Sequence, residues 1–170
     1  MPRQMLIYDQ FDSPLGRLTV VRSTRGVCYI GLPNTTLSKI EANLRRRFPG
    51  SRLARSEGPF TRERKQLRDF AEGRSEKLNM QLDHRNSPFA LEALEAVRLV
   101  PYGTTATYGD IARRMGRRGA SRAVGRAVAG NPLPLAIPCH RIVGSDGSLT
   151  GYGGGLPMKK VLLRLESRRP

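Results

Sequence analysis

The chain has 170 residues, which suffices for one domain of ordinary size or for two small ones. Hydrophobic residues make up 38% of it, so a packed core is expected, and a collagen-like or disordered chain is not. There are 30 Lys and Arg residues against 14 Asp and Glu residues, a formal net charge of +16. Two interpretations of this charge are open at this point: solubility with compositional bias, or a polyanionic partner such as nucleic acid.

Several features predict a cytoplasmic protein, associated with the nucleoid if its source is a prokaryote. No run approaches the ~18–20 consecutive apolar residues of a membrane helix, and the first residues lack the apolar stretch of a signal peptide. Two cysteines, Cys28 and Cys139, are too few for a disulfide framework and indicate a reducing compartment. Together with His84 and His140 they are too scattered for zinc, so no metal is expected.

The first third of the chain predicts a β-meander. Turn-forming residues separate three apolar runs: residues 5–11, 18–21 and 27–30. Residues 33–36 then open a predicted helix that Pro49-Gly50 ends. Four apolar residues form its buried face: Leu37, Ile40, Leu44 and Phe48.

A second helix is predicted over residues 61–72, and the alternation over residues 78–82 predicts a half-buried strand. The pattern changes near residue 86. Ser87-Pro88 predicts an N-cap followed by proline at the first helical position, ahead of a helix that carries Phe89, Ala90, Leu94 and Val97. Short helices and glycine-rich loops follow.

We therefore predict an α+β protein with two domains. Residues 1–86 would form a small mixed α/β domain with an antiparallel sheet, which serves a structural or regulatory purpose. Residues 87–170 would form a mostly helical domain that carries the function. The two halves carry equal net charge, so the charge of the whole chain does not favour one of them.

A helix-turn-helix is predicted in the second half. Thr107-Tyr108-Gly109-Asp110 matches a capping box, and the helix behind it buries Ile111, Ala112 and Met115. Residues 116–119 break that helix. A second one is predicted over residues 120–129, with a buried stripe of Ala123, Val124, Ala127 and Val128.

The opposite face of that second helix carries Arg122, Gly125, Arg126 and Ala129. Small residues beside arginines would let the backbone approach DNA closely, as a narrow groove requires, whereas a major-groove helix usually presents longer polar side chains. Seven arginines and no acidic residue lie in residues 111–145: Arg113, Arg114, Arg117, Arg118, Arg122, Arg126 and Arg141. We predict that this surface binds DNA; the alternative is a packed helix pair with a solvated arginine face.

Cys139 and His140 lie between two apolar runs. The thiolate is the reactive form of cysteine, and its usual pKa of about 8.5 calls for a nearby base or positive charge. His140 is the candidate base, and Arg141 adds positive charge. Because neighbours on a strand point to opposite faces, the loop must turn, or a water must bridge, for His140 to take the proton. The alternative is a buried cysteine beside a satisfied histidine.

Residues 150–155 are rich in glycine and suit a loop whose backbone approaches a flat ligand, with Tyr152 as a stacking wall; a flexible linker is the alternative. Pro157 opens a last helix with a predicted buried stripe of Met158, Val161, Leu162 and Leu165. Glu166 lies at the edge of this stripe, where an acid opposes the helix dipole. It either orients His140 or is a solvated terminal residue.

Taken together, these residues resemble one family, the O6-alkylguanine-DNA alkyltransferases, also called methylated-DNA–protein-cysteine methyltransferases. A dense set of motifs over residues 101–166 carries the resemblance: Pro101-Tyr102-Gly103, Thr107-Tyr108, Ser121-Arg122-Ala123-Val124-Gly125, Gly130-Asn131-Pro132, Ile137-Pro138-Cys139-His140-Arg141, Gly151-Tyr152-Gly153-Gly154-Gly155-Leu156, and Leu162-Leu163 before Glu166. Residues 12–16 resemble the family's N-terminal domain more weakly.

The resemblance implies direct-reversal DNA repair. The protein would bind duplex DNA in the minor groove, flip out O6-alkylguanine and transfer the alkyl group irreversibly to Cys139. His140, acting through a water and held by Glu166, would deprotonate Cys139. Each molecule would act once. No cofactor is implied, and we expect a monomer, with cooperative binding along DNA left open.

The resemblance also assigns roles to other residues. Tyr108 matches the tyrosine that contacts the flipped base and aids the leaving guanine, and Arg122 the arginine that fills the gap in the base stack. Asn131 matches a hinge residue. The base pocket would be lined by Tyr152, Gly153 and the backbone of Ile142.

Two departures from the family are visible. The chain has no Trp, and Phe89-Ala90 replaces a frequent Phe-Gln pair; Cys28 stands alone, so no zinc is expected in the N-terminal domain either. Three other functions stay open: a non-catalytic alkylguanine sensor that recruits other repair factors, a helix-turn-helix regulator with Cys139 buried for packing, and, more remotely, a thiol hydrolase.

Overall fold

The structure is a computed structural model that describes residues 4–168. The chain divides into two compact units, Met1–Arg85 and Asn86–Pro170, called the N-terminal and C-terminal units below. A four-stranded sheet lies in the N-terminal unit and the C-terminal unit is mostly helical, so the predicted α+β class is confirmed.

The N-terminal unit is a four-stranded sheet with two helices. Its elements are β1 (Met5–Ser13), β2 (Gly16–Ser23), β3 (Gly26–Gly31), α1 (Leu37–Arg47), β4 (Arg52–Arg55) and α2 (Thr61–Ala71). The strand order is β3-β2-β1-β4. The predicted meander of β1, β2 and β3 is confirmed, because both of its pairs are antiparallel.

Strand β4 is an addition that the sequence analysis missed. It pairs in parallel with β1, so the predicted antiparallel sheet carries one parallel edge strand. Its four residues include two arginines, Arg52 and Arg55, and both are exposed. A short edge strand of this kind lacks the apolar alternation from which strands are predicted.

The two helices of this unit cover opposite faces of the sheet. Alternate residues of a strand point to opposite faces. Leu6 of β1 packs in a cluster with Ile40 and Leu44 of α1, whereas the carboxylate of Asp9 accepts a hydrogen bond from Arg64 of α2 at 2.5 Å. The predicted bounds of both helices hold to within one residue, and α1 is capped by the Thr36 side chain.

The predicted strand over residues 78–82 is wrong. Burial alternates as expected, with Met80 buried between exposed neighbours. The segment pairs with β3 at one position only, a bridge between Leu82 and Val27. The backbone N–H and C=O of Asn79 are instead bound by the Gln66 side chain of α2, at 2.7 and 3.2 Å. A helix side chain therefore takes the hydrogen bonds that a second strand would need.

The C-terminal unit is mostly helical. Its elements are α3 (Pro88–Arg98), β5 (Ala106–Thr107), α4 (Tyr108–Arg114), α5 (Ser121–Ala129), β6 (Ile142–Val143) and α6 (Leu156–Ser167). Helices α3, α4 and α5 pack against one another. No helix within residues 4–168 combines the length and the apolar character needed to cross a membrane.

The predicted helix pair of α4 and α5 is confirmed. Thr107 caps α4: its hydroxyl accepts from the backbone N–H of Asp110 at 3.0 Å, and the Asp110 carboxylate accepts from the backbone N–H of Thr107 at 2.7 Å. Both predicted partners of this capping box are present. Helix α4 ends at Arg114. Its C-cap Met115 is half-buried and not buried as predicted, and Gly116 follows with φ +68°.

The buried face of α3 lies further along the helix than predicted. Phe89 and Ala90 are only half-buried, and the Arg117 guanidinium lies over the Phe89 ring, 5.6 Å from its centroid. Four residues of α3 are buried: Ala93, Leu94, Ala96 and Val97. These contact the helix pair.

Leu94 within α3 and Leu99 at its C-cap give a matched stability test, because Leu94 is fully buried and Leu99 is 75% exposed. We expect Leu94→Ala to lower the free energy of unfolding by about 3 kcal/mol, since it leaves a cavity. Leu99→Ala should change it by less than about 0.5 kcal/mol. Urea denaturation of the full chain measures both. Similar losses in the two variants would contradict the packing described for α3.

Candidate active site

A two-stranded parallel pair places the start of α4 next to the Cys139 turn. Residues Cys139–Arg141 form a single 3-10 turn that leads directly into β6. Strand β6 pairs with β5, and Thr107 lies opposite Val143. Because Tyr108 follows Thr107 as the first residue of α4, this pairing brings the helix-turn-helix to the turn that carries the thiol.

The segment before Cys139 is held by Asn131. Its side-chain amide donates to the carbonyl of Ile137 at 3.0 Å and accepts from the backbone N–H of Leu133 at 2.9 Å. Between them lies Leu135, with φ +73°, the one non-glycine residue of the described chain in the left-handed region. Such a conformation persists only where the surroundings enforce it. The predicted hinge residue therefore ties down a strained turn.

His140 and Glu166 are in direct contact. The imidazole Nε2 lies 2.6 Å from Oε1 of Glu166, and both side chains are buried. A carboxylate only accepts hydrogen bonds, so Nε2 carries the hydrogen, and Nδ1 of the neutral ring is an acceptor. Burial lowers the pKa of His140, although Glu166 opposes this, so the ring is neutral at pH 7. His140 therefore has the form that a general base requires.

Arg141 is the counterion of Glu166. Its Nε and Nη2 donate to the carboxylate at 2.9 to 3.1 Å, and its Nη1 donates to the carbonyl of Val100 at 2.7 Å. The backbone N–H of Gly103 adds a further hydrogen bond to Glu166 at 3.1 Å. Burial alone would raise the pKa of Glu166, but the hydrogen bonds from His140 and Arg141, together with the charge of Arg141, lower it to about 2.

Cys139 is a buried free thiol. Burial raises its pKa, while a hydrogen bond from the Asn131 side chain and the positive charge of Lys159 lower it, and burial prevails. The resting thiol is therefore protonated at pH 7, and attack by sulfur requires a base. Arg141 was expected to supply positive charge here, but its guanidinium is bound to Glu166, and Lys159 acts on the thiol instead.

The buried face predicted for α6 is wrong in part. Leu162 is buried, but Val161 is 48% exposed, and Met158 and Leu165 are half-buried. The other buried residues of the helix are Lys159 and Glu166. Spacings of three and four place these residues on one face. The helix thus turns its polar residues toward the site, which an apolar pattern cannot predict.

Lys159 was missed by the sequence analysis. It is fully buried, and its ammonium donates to the carbonyl of Ile142 at 2.5 Å and to the carbonyl of Thr150 at 3.2 Å. A lysine next to the exposed Lys160 carries no sign of burial in a single sequence. Its position relative to Leu162 and Glu166 is the one signal, and that signal is visible only once the buried face is known.

One of the predicted pocket residues contacts this lysine. The carbonyl of Ile142 is bound to it. The hydroxyl of Tyr152 is buried and has no hydrogen-bond partner among the described residues. Burial raises the pKa of Tyr152 well above its usual value, and negative charge on Cys139 and Glu166 acts in the same direction. Gly153 is exposed. Among the described residues, apart from its chain neighbours, no protein atom lies within 4 Å of the position that a Cβ would take there.

The predicted DNA-facing residues of α5 fall into two groups. Arg122, Arg126 and Ala129 are exposed, whereas Gly125 is half-buried against the ring of Tyr108. Three of the seven clustered arginines are paired: Arg113 with Asp110, Arg117 with Glu92, and Arg141 with Glu166. In the described part of the chain the other four make no ion pair: Arg114, Arg118, Arg122 and Arg126.

Within residues 4–168, no three His, Cys, Asp or Glu side chains are grouped so that they could hold a metal ion. Cys28 lies in β3, in the core that α1 covers, and burial raises its pKa to about 12. This thiol is far less reactive at neutral pH than a thiolate.

Comparison with known proteins gives consistent matches. Residues 88–168 match a family model described as "6-O-methylguanine DNA methyltransferase, DNA binding domain". The chain is 37% identical over 166 residues to a methylated-DNA–protein-cysteine methyltransferase of Mycolicibacterium paratuberculosis, with 96% of this chain and 94% of the relative covered. It is 34% identical over 149 residues to the inducible enzyme of that name from Bacillus subtilis, with 88% and 83% covered.

Solved structures match over nearly the whole chain. A crystal structure of Mycobacterium tuberculosis O6-methylguanine methyltransferase has a TM-score of 0.84 at 34% identity and covers 98% of this chain and 96% of its own. A crystal structure of the Mycobacterium tuberculosis protein called OGT in complex with DNA has a TM-score of 0.82 at 34% identity, with 95% and 92% covered.

Lys159 and its neighbour Lys160 give a matched test of the charge at the thiol. We expect Lys159→Met to raise the pH at which Cys139 becomes reactive, because loss of the cation disfavours the thiolate. Lys160→Met, at an exposed position, should leave that pH unchanged. The rate of Cys139 alkylation by iodoacetamide, followed across pH by peptide mass spectrometry, measures the shift. Equal profiles for wild type and Lys159→Met would show that Lys159 does not act on the thiol.

Proposed function

The chain belongs to the family of O6-alkylguanine-DNA alkyltransferases, the methylated-DNA–protein-cysteine methyltransferases, and we propose that it repairs DNA by moving an alkyl group from O6 of guanine to its own Cys139. One observation carries the proposal: a buried thiol adjoins a neutral histidine that a buried carboxylate orients through a 2.6 Å hydrogen bond. This is the arrangement of an activated nucleophile, with a base and a group that orients the base.

The outer face of α5 is the surface that binds DNA. Arg122 and Arg126 are exposed and make no ion pair in the described part of the chain, so their charge is available for phosphates. Ala129 on the same face is small, and Gly125 presents no side chain at all. A helix with such a face brings its backbone close to DNA, which favours the narrow minor groove over side-chain contacts in the major groove.

Base flipping follows from the burial of the thiol. Cys139 is 7% exposed, and O6 of a stacked guanine lies inside the duplex, so the two atoms meet only if the base leaves the stack. Arg122, at the start of α5, is the residue that would occupy the space the base leaves. Tyr152, Gly153 and the carbonyl of Ile142 would line the pocket that receives it.

The transfer step is a displacement at the alkyl carbon. His140 Nδ1 accepts the thiol proton, through a water, while Glu166 stabilises the resulting imidazolium. The bond from sulfur to the alkyl carbon forms as the bond from that carbon to O6 breaks, and the electron pair stays with guanine. Tyr108 donates a hydrogen bond to the guanine as it accumulates charge. The proton lost by Cys139 equals the proton that guanine gains, so the reaction needs no cofactor.

The product is a thioether on a buried sulfur. Neutral water does not cleave a thioether, and the alkylated sulfur no longer carries a thiol proton to lose. Each molecule therefore acts once, and the amount of DNA repaired is limited by the amount of protein.

An intact-mass measurement tests the proposal. After incubation with duplex DNA that contains O6-methylguanine, the wild-type protein should gain the mass of one CH2 group at Cys139. Cys139→Ala should gain nothing and keep DNA affinity within about threefold, or ~0.7 kcal/mol, because its side chain does not face DNA phosphates. An unchanged wild-type mass with DNA bound would instead support a damage sensor that does not react.

The role of Arg122 is tested by comparing two substrates. Arg122→Ala should slow transfer from duplex DNA about tenfold, or ~1.4 kcal/mol, because the stack then lacks its replacement side chain. Transfer from a free O6-alkylated guanine base, which needs no flipping, should stay at the wild-type rate. Arg114→Ala is the charge-matched control, because it removes from α4 an exposed arginine that makes no ion pair in the described part of the chain. Equal slowing on both substrates would contradict the proposed role.

A further inference from the structure

We propose that Thr150 is a positioning residue for Tyr108, and that its hydroxyl aims and polarises the Tyr108 phenol toward the flipped guanine. This inference rests on the proposed alkyl transfer, and it assigns to Thr150 a role in that reaction. The contact that carries it joins two residues 42 positions apart: Tyr108 Oη lies 2.8 Å from Thr150 Oγ1.

Two contacts bear on the position of the Tyr108 side chain, one at its ring and one at its hydroxyl. The side chain leaves the first turn of α4, and its ring lies beside Gly125 of α5, 3.8 Å from the position that a Cβ there would take. Glycine offers the ring no side chain to pack against, and Tyr108 is only half-buried. The hydrogen bond to Thr150 at the far end of the ring therefore helps to define the position of the hydroxyl.

Thr150 is well suited to define that position because its own backbone is anchored. The carbonyl of Thr150 accepts a hydrogen bond from the buried ammonium of Lys159 at 3.2 Å. The same ammonium holds the carbonyl of Ile142 at 2.5 Å, and Ile142 is paired with Ala106 in the strand pair that precedes Tyr108. Lys159 thus links Thr150 to the strand pair β5–β6, which directly precedes Tyr108. This anchors Thr150 even though the next residue in the chain is a glycine.

The direction of the hydrogen bond follows from a count of hydrogens. Each hydroxyl has one hydrogen to donate and two lone pairs to accept with. When Tyr108 donates its hydrogen to guanine, the bond to Thr150 persists only with Thr150 as the donor. The Tyr108 oxygen then accepts from Thr150 while its hydrogen is directed at the base, and two hydrogen bonds in series polarise one another.

This arrangement also changes how well Tyr108 donates. Negative charge grows on guanine as the carbon–oxygen bond breaks, and a donor stabilises that charge better when it is itself polarised. A hydrogen bond from Thr150 to the phenol oxygen stabilises the partial negative charge that appears there as the phenol hydrogen moves toward guanine. No extra proton or co-reactant is required, because Thr150 keeps its own hydrogen throughout.

The test is a double-mutant cycle on the transfer rate. Thr150→Val keeps the branched shape and removes the hydroxyl, Thr150→Ser keeps the hydroxyl, and Tyr108→Phe removes the acceptor. Single-turnover transfer from duplex DNA containing O6-methylguanine is followed by intact mass. We expect Thr150→Val to slow transfer about fivefold, the effect of one hydrogen bond of ~1 kcal/mol, and Thr150→Ser to react near the wild-type rate.

The second arm separates positioning from a merely structural role. In the Tyr108→Phe background, Thr150→Val should cause no further slowing, because the hydroxyl has lost its partner. DNA affinity should be the same in all variants, so that the effect appears in the rate of transfer and not in binding. Slowing of Thr150→Val by the same factor in the Tyr108→Phe background would overturn the inference.

The outcomes distinguish this inference from the function on which it rests. A wild-type protein that transfers no alkyl group overturns the proposed function. Normal transfer by both wild type and Thr150→Val overturns the role of Thr150 alone. Failure of Thr150→Ser to restore the rate that Thr150→Val loses would also overturn it, since serine supplies the same donor.

Discussion

The buried carboxylate of Glu166 is the constraint on which the C-terminal unit depends. A buried charge is costly unless it is paired and hydrogen-bonded, and Glu166 is 1% exposed. Three groups from two parts of the chain compensate it: the N–H of Gly103, and the guanidinium of Arg141 with the imidazole of His140 in the Cys139 turn. Arg141 in turn holds the carbonyl of Val100. One side chain on α6 thereby links the end of α3, the loop after it and the turn that carries Cys139.

The surroundings of Glu166 explain the protonation states of the His140 imidazole and the Cys139 thiol. Because Arg141 supplies the positive charge, His140 is free to remain neutral, and burial lowers its pKa further. Burial likewise raises the pKa of the Cys139 thiol. The resting site therefore holds a neutral thiol and a neutral base, not an ion pair. A site of this kind avoids an exposed thiolate that would react with any electrophile, and it becomes ionised only as the substrate is attacked.

The structure shows which part of the chain's positive charge is paired inside the protein and which part is exposed. Three of the seven arginines in residues 111–145 are used inside the protein, and Arg141 among them serves the site itself. The unpaired arginines lie on and around the helix pair, where Arg122 and Arg126 are exposed on one face of α5. The charge that matters for DNA is thus a property of one surface. In the N-terminal unit several arginines form ion pairs within the unit, such as Arg64 with the buried Asp9.

Local patterns in the sequence predicted most of the helices and strands and many residues of the candidate site. Helix periodicity, the capping box at Thr107 and the turn residues each act within a few positions, so they predict α1 to α6 and the meander from one sequence. The Cys139 turn and Glu166 were singled out by residue type and placement. The tertiary structure alone decided which distant groups meet, because contacts such as His140 with Glu166, 26 residues apart, leave no local pattern. For the same reason the sequence did not predict β4, the missing partner strand of residues 78–82, the burial of Lys159 or the contact of Thr150 with Tyr108. Each of these depends on what the rest of the chain packs against the residue.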